Sequence, residues 1–239
     1  MPNIHIMIKY ELTIKDLTKI KFNLNKIPES CPIHLTDKTD NVSPFLIAPL
    51  LNDHQLTVTF SVRNHYFFGK LDKITEELNS YITNINTFSN ISELLIVSGS
   101  NRGEVDTLSL LKYLQSIENK VDIGVAYNCN LGEGQQEEND RLKEKLSYNF
   151  VKSVYIQITD DLDKIEQGIK YIRSLNKKIK IALCVLKPSN SLLNSLKLRP
   201  WKGVSLSQPF LNDVNRAQSI NNWNTKMLKK YEIDYLITV

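Results

Sequence analysis

Polar or small residues follow most of the apolar, strand-like runs of this sequence, at the points where the runs end. They are Glu11, Thr36, Thr59, Ser98, Gly99, Ser100, Tyr127 and Gln157. The set combines a carboxylate, an aromatic ring and several neutral hydrogen-bonding groups, a mixture that suits a flat heterocyclic ligand. A metal would require clustered histidine or carboxylate ligands instead, so we expect no metal site.

The elements that would position these residues are strand-like runs alternating with segments of helical spacing. The strand-like runs are "IHIMIKYEL", "PIHLT", "LTVTFS", "ELLIVSG", "VDIGVAY", "VYIQI", "IKIALCVL", "KGVSLS" and "DYLITV". The helical segments are "KLDKITEELNSYI", "DTLSLLKYLQSI", "ENDRLKEKL", "DLDKIEQGIKYIRSL" and "NTKMLKKY". Regular alternation favours a parallel sheet covered by helices, and about eight units in ~250 residues favour a closed (β/α)₈ barrel. We predict a single TIM-barrel domain over residues 1–239, with its site at the carboxyl ends of the strands.

Composition and charge exclude several classes of protein. The 239 residues are 41% apolar, which is ample for a core. The net charge of +4 comes from interleaved charges, a bias too mild to indicate nucleic-acid binding. We find no signal-peptide pattern and no apolar run long enough to cross a bilayer, so we expect a cytoplasmic protein without a membrane segment. The three cysteines, Cys31, Cys129 and Cys184, are widely spaced and fit reduced thiols.

A resemblance to a known family rests on the order of several short motifs. They run "YEL", "LTDKTDNVSP", "VTFSVRN", "LLIVSGS", "IGVAYN", "EENDRLKEKL", "VYIQI", "VLKP" and "KGVSLSQPFL". In this order the chain resembles the methylenetetrahydrofolate reductase family of FAD-dependent (β/α)₈ barrels, as a short and divergent member. The most specific piece is the spacing Glu138-x-x-Arg141-Leu142-x-x-Lys145, followed by the strand that carries Gln157.

The resemblance implies a role for each matching residue. Glu11 would be the general acid that protonates the folate during ring opening, because a carboxyl group in a partly apolar mouth can donate a proton near neutral pH. Gln157 would contact the folate substrate. The residues that would contact FAD are Thr36 at the isoalloxazine edge, Lys145 at the pyrophosphate, Tyr127 beside the adenosine, and Thr59, Gly99, Ser100 and Arg141. Reduced nicotinamide, NAD(P)H, would be the electron donor.

The sequence also departs from the family pattern. Family members end strand 4 in Gly-Asp, whereas here Gly99 is followed by Ser100, and the strand-3 histidine of the family corresponds to Thr57. Loss of a negative charge beside the flavin would raise its reduction potential and weaken stabilisation of a cationic intermediate. We therefore expect a weakened FAD site.

Three hypotheses for function remain open at this point. The first is a flavin-dependent oxidoreductase that acts on a one-carbon folate. The second is a barrel that binds a folate or another pterin-like ligand and handles a one-carbon group without flavin. The third is a catalytically degenerate barrel that serves as a binding or partner subunit, in a homo-oligomer or with a partner protein. It stays open because a fold does not by itself determine chemistry.

Overall fold

Eight parallel strands close into a barrel in which each strand pairs with its neighbours in the sequence and β8 pairs with β1. The computed structural model describes residues 6–20, 24–25, 27–37, 41–65, 71–98, 105–117 and 121–238. The strands are β1 (Ile8–Leu12), β2 (Ile33–Leu35), β3 (Leu56–Ser61), β4 (Ile91–Val97), β5 (Asp122–Tyr127), β6 (Val151–Ile156), β7 (Lys180–Leu186) and β8 (Asp234–Thr238). This confirms the predicted single-domain (β/α)₈ barrel.

Helices cover the outside of the barrel and connect successive strands. They are α1 (Pro44–Ile47), α2 (Val62–His65), α3 (Leu71–Ile85), α4 (Thr107–Gln115), α5 (Gln135–Lys145), α6 (Leu162–Leu175), α7 (Asn190–Leu198), α8 (Gln208–Asn212) and α9 (Val214–Leu228). Short 3₁₀ turns occupy Leu17–Lys19, Ala48–Leu51, Gly132–Gly134 and Lys229–Tyr231. Of the helices that lie within the described ranges, five overlap the predicted helical segments.

The connection between β7 and β8 differs from the prediction. The run "KGVSLS" forms no barrel strand, and only Ser205 makes an isolated parallel bridge, to Thr159. This connection instead holds α7, α8 and α9, of which only the end of α9 was predicted from the sequence. The run is apolar enough to suggest a strand, but all eight places in the closed barrel are taken by other runs.

The main core lies between the strands and the helices. Helix α3 shows how the sequence builds it, because Ile74, Leu78, Ile82 and Ile85 recur on one helical face and are all buried. Each strand supplies the opposite surface of this layer through every second side chain. The other side chains point into the barrel, where Leu95, Tyr155, Ala182 and Leu236 form a smaller apolar cluster.

Local capping residues fix where several helices begin. The side chains of Asp106, Asp161, Ser189 and Asp213 each accept a hydrogen bond from a backbone N–H of the first turn of α4, α6, α7 and α9, respectively. Such a cap is typically worth about 1 kcal/mol. Because α4, α6 and α7 follow β4, β6 and β7, their caps also fix where the loops at the carboxyl ends of these strands finish.

Across the residues that the structure describes, no helix combines the length and apolar character that crossing a bilayer would require.

Candidate functional site

The carboxyl end of β1 brings Glu11 beside neighbouring strands. In the sheet register Glu11 aligns with His34 on β2 and with Thr238 on β8. Its side chain is half-buried. Burial raises the pKa of the Cys184 thiol on β7, and the nearby Glu11 carboxylate raises it further. Glu11 therefore lies on the inner side of the barrel near its carboxyl end, as predicted from the sequence.

Thr36 follows β2 and takes part in a small hydroxyl and amide cluster. Its hydroxyl oxygen lies 3.1 Å from that of Thr13, which follows β1. Asn41 donates from Nδ2 to the Thr36 hydroxyl oxygen over 3.0 Å and to the Thr36 carbonyl over 3.2 Å. The Asn41 Oδ1 atom is buried and has no hydrogen-bond partner among the described residues. This cluster joins the ends of β1 and β2.

Thr59 on β3 is paired with a histidine that sequence reasoning did not assign to the site. The Thr59 hydroxyl oxygen lies 2.5 Å from Nε2 of His34, and both side chains are buried. Within the described part of the chain, Nδ1 of His34 has no hydrogen-bond partner. Burial, and then the charge of Lys9, lower the pKa of His34 to about 3, against an opposing effect of Glu93. His34 is therefore a neutral imidazole below the mouth.

The β5 and β6 side of the mouth carries two amide side chains. Asn128 follows β5 and donates from Nδ2 to the Gly203 carbonyl over 2.8 Å, while its own backbone N–H donates to Glu138. Gln157 follows β6, and its backbone N–H donates to the Tyr127 carbonyl. A β-carbon at Gly203 would lie 3.4 Å from the Asn128 side-chain nitrogen and 3.9 Å from that of Gln157. The three residues therefore form one side of the mouth.

Three residues that the resemblance assigned to the cofactor lie between the barrel and α5. Tyr127 is buried, and its hydroxyl donates to Asn139 of α5 over 2.7 Å. Arg141 donates to Asp106 over 2.7 Å, at the start of α4. Lys145 is also buried, and its ammonium donates to the Ala126 carbonyl over 2.9 Å.

These three side chains act as braces in the structure. Glu138 lies 3.7 Å from the Lys145 ammonium and 3.9 Å from Nε of Arg141. Burial lowers the pKa of Lys145, with the charge of Glu138 opposing the shift. The motif that carried the most specific part of the resemblance thus ties α5 to the start of α4 and to the end of β5. The structure brings Glu11, Thr36, Thr59 and Gln157 to the carboxyl end of the barrel. Tyr127, Arg141 and Lys145 instead lie on the outer side of the barrel, at α5.

The turn after β4 is described only in part. Gly99 and Ser100, both assigned to the cofactor, lie outside the described residues. The Ser98 hydroxyl accepts a hydrogen bond from the Thr107 backbone N–H over 2.9 Å and lies 2.8 Å from the Thr107 hydroxyl. Ser98 therefore joins the end of β4 to the start of α4.

A polar cluster inside the barrel was missed by sequence reasoning. The Lys9 ammonium lies 3.0 Å from the Glu93 carboxylate and donates to the Tyr155 hydroxyl over 2.9 Å. Glu93 also accepts hydrogen bonds from Tyr155, Ser153 and Thr57. Burial raises the pKa of Glu93, but Lys9 and these hydroxyl donors outweigh burial and lower it. The charged side chains of Lys9 within β1 and Glu93 within β4 were the signal that could have indicated this pair.

Gly124 of β5 makes room for this cluster. A β-carbon at Gly124 would lie 2.8 Å from the Ser153 hydroxyl oxygen and 2.9 Å from the Tyr155 ring. Lys9 and Glu93 also line a cavity of about 370 Å³ at the amino end of the barrel. We place the candidate site at the other end, because the loops at the carboxyl ends of the strands form the functional sites of this fold.

The structure describes no group of three or more His, Cys, Asp or Glu side chains that could hold a metal ion, within the ranges given above. Cys129 is buried beside Gly168 of α6, and burial raises the pKa of its thiol to about 12. A thiol held in its protonated form is a poor nucleophile, so Cys129 is best explained by packing.

Comparison with known proteins gives structural likeness only. No protein-family model matches the sequence, and no curated protein matches it significantly. An uncharacterized protein from Clostridium thermocellum that binds two copies of 5-methyl-5,6,7,8-tetrahydrofolic acid is similar, with a TM-score of 0.69 and 13% identity over 98% of this chain and 89% of that one. Active domain 2 of a thermostable chitinase from Pyrococcus furiosus has a TM-score of 0.60 and 10% identity, over 98% and 83%. At these identities the likeness establishes the barrel fold alone.

Proposed function

We propose that this protein binds a reduced folate at the carboxyl-end mouth of its barrel. The observation that carries the proposal is the gathering of Glu11, Thr36, Thr59 and Gln157 at this end. The likeness to the Clostridium thermocellum barrel, which covers 98% of this chain, supports the same ligand class. The order of sequence motifs points to folate independently of that structural likeness.

The chemistry of the mouth suits a pterin ring. Such a ring is planar and has both hydrogen-bond donors and acceptors along one edge. The Gln157 amide can donate and accept, and the Glu11 carboxylate can accept when ionised or donate when protonated. The Thr59–His34 pair is buried beneath these groups, and its neutral imidazole adds no charge there, which suits a flat heterocycle.

Flavin-dependent reduction of a one-carbon folate, with FAD as cofactor and NAD(P)H as electron donor, is the second candidate function. Glu11 favours it, because opening the five-membered ring requires a proton on nitrogen and Glu11 lies at the folate mouth. The cations of Arg141 and Lys145 do not fit an FAD pyrophosphate as they are arranged, because they are bonded to Asp106 and Ala126. We therefore rank flavin-independent binding of the folate first.

The experiment is calorimetric titration of the purified full chain with 5-methyltetrahydrofolate, beside an absorbance titration with FAD. We expect saturable folate binding that Gln157→Ala weakens roughly three- to ten-fold, since one hydrogen bond contributes about 0.5–1.5 kcal/mol. Gln136→Ala is the matched control, because Gln136 is exposed on α5 and its side chain donates to Asp140 of the same helix. Absence of folate binding would reject the proposal and favour a catalytically silent partner subunit, whereas saturable FAD uptake would favour the reductase.

A further inference from the structure

A loop from the β7–β8 connection crosses to the β5 and β6 side of the mouth. This loop spans residues 199–207, between α7 and α8. The Gly203 carbonyl accepts a hydrogen bond from Asn128, and Ser205 forms a parallel bridge with Thr159. The Ser207 backbone N–H donates to Asp160 over 2.9 Å, and the Ser207 hydroxyl donates to the same carboxylate. Contacts to both strand ends therefore hold this loop in place.

Gly203 brings the loop close to the amide side chains of the mouth. Its φ angle of 82° lies in the left-handed region, where a residue with a side chain is strained. A side chain there would also meet Asn128 at 3.4 Å. The loop thus lies against Gln157, which we assign to the folate.

Trp201 lies two residues before Gly203 on this loop. Its carbonyl accepts a hydrogen bond from the Val204 backbone N–H, so the chain turns tightly between them. The side chain is nevertheless 42% exposed. Exposure alone does not distinguish Trp201, because Trp223 is 55% exposed and single exposed aromatic side chains are common on protein surfaces. Trp201 differs from Trp223 in its place on an anchored loop, two residues before the glycine that lies against Asn128 and Gln157.

We propose that the Trp201 indole forms the side wall of the mouth and stacks on a planar ring of the bound reduced folate. The inference rests on the proposed function and assigns a ligand-contacting residue that neither the motifs nor the resemblance indicated. Stacking of a heterocycle on an aromatic side chain contributes strongly to affinity. Truncation of the aromatic residue to alanine typically weakens binding about ten-fold or more.

The chain offers a matched pair of tryptophans for the test. Trp223 on α9 is 55% exposed and is the other tryptophan in the sequence. Trp223→Phe leaves Trp201 as the sole indole, and Trp201→Phe leaves Trp223. On titration with 5-methyltetrahydrofolate, we expect saturable quenching of the indole fluorescence in the Trp223→Phe variant. In the Trp201→Phe variant the fluorescence should fall only by the amount that light absorption by the added folate causes in both variants.

Calorimetry supplies the second measurement. Trp201→Ala should raise the Kd for 5-methyltetrahydrofolate about ten-fold, Trp201→Phe should keep most of the affinity because it retains a stacking ring, and Trp223→Ala should leave the Kd unchanged. If the wild type binds but Trp201→Ala binds equally well and the Trp223→Phe variant shows no quenching, the role of Trp201 is wrong while the folate proposal stands. If the wild type does not bind, the folate proposal itself fails.

Discussion

Lys9 and Glu93 form an ion pair inside the barrel, with the ammonium nitrogen 3.0 Å from a carboxylate oxygen and both side chains largely buried. The two residues lie on β1 and β4, across the interior from each other. Tyr155 bonds to both of them, donating to Glu93 and accepting from Lys9. The pair therefore joins three strands through charge-assisted hydrogen bonds.

We expect Lys9→Met to lower the free energy of unfolding by about 3–5 kcal/mol, because it leaves the Glu93 charge buried without its cation. The double variant Lys9→Met, Glu93→Gln should lose less than the sum of the two single variants. Urea denaturation of the four proteins measures this coupling. Lys170→Met is the control, since Lys170 lies 3.8 Å from Glu166 with its side chain 65% exposed and should contribute little. Additive losses would mean that the interior pair is not energetically coupled.

The buried His34 predicts a loss of stability in mild acid. Its pKa is lowered by burial to about 3 from the ordinary value of 6.5, so below about pH 6.5 the unfolded chain takes up a proton that the folded protein does not. The free energy of unfolding should therefore fall as the pH drops from 6.5 towards 3, by up to about 1.4 kcal/mol per pH unit. His34→Phe should flatten this slope between pH 6.5 and 5, above the range where carboxylates titrate. An NMR titration that finds His34 charged in the folded protein near pH 6.5 would contradict the prediction.

The bracing role of Lys145 predicts a stability effect. We expect Lys145→Met to lower the free energy of unfolding by about 1–3 kcal/mol, because it leaves the Ala126 carbonyl and the Glu138 carboxylate without their buried partner. Lys143→Met, at an exposed position of the same helix, is the control and should be nearly neutral. Denaturation together with an FAD titration separates the two roles. Unchanged stability with reduced flavin affinity would contradict the bracing role and support a contact between Lys145 and the FAD pyrophosphate.

Glu11→Gln tests the second candidate function. Glutamine keeps the shape of the side chain but cannot supply a proton, so we expect 5-methyltetrahydrofolate to bind within about three-fold of the wild type. Reduction of methylenetetrahydrofolate, assayed with FAD and NADPH, should slow by about 10²–10⁴-fold, the usual contribution of a general acid. Unchanged turnover in the variant would remove Glu11 from the reaction, and a wild type that binds folate without turnover would leave only the binding function.

The sequence by itself determined the barrel fold, and it predicted the end of the barrel at which the candidate site lies. Alternation of apolar runs with amphipathic segments such as Leu71–Ile85 predicts the (β/α)₈ architecture, because each pattern fits one kind of backbone geometry. Strand order then places the ends of all strands on one side. This predicted that six residues would converge at the carboxyl-end mouth: Glu11, Thr36, Thr59, Ser100, Tyr127 and Gln157. Ser100 lies outside the described residues, and Tyr127 turns towards α5 instead.

Only the tertiary structure decided which way the strand residues face and which distant residues meet. Successive side chains of β5 are buried on both faces of the strand, so an apolar run does not reveal whether Tyr127 points into the mouth or, as found, towards α5. Lys9 and Glu93 are 84 positions apart, and their pairing follows from barrel closure. The loop that carries Trp201 crosses to Asn128 and Thr159 for the same reason, because contacts between distant segments depend on packing that no local pattern encodes.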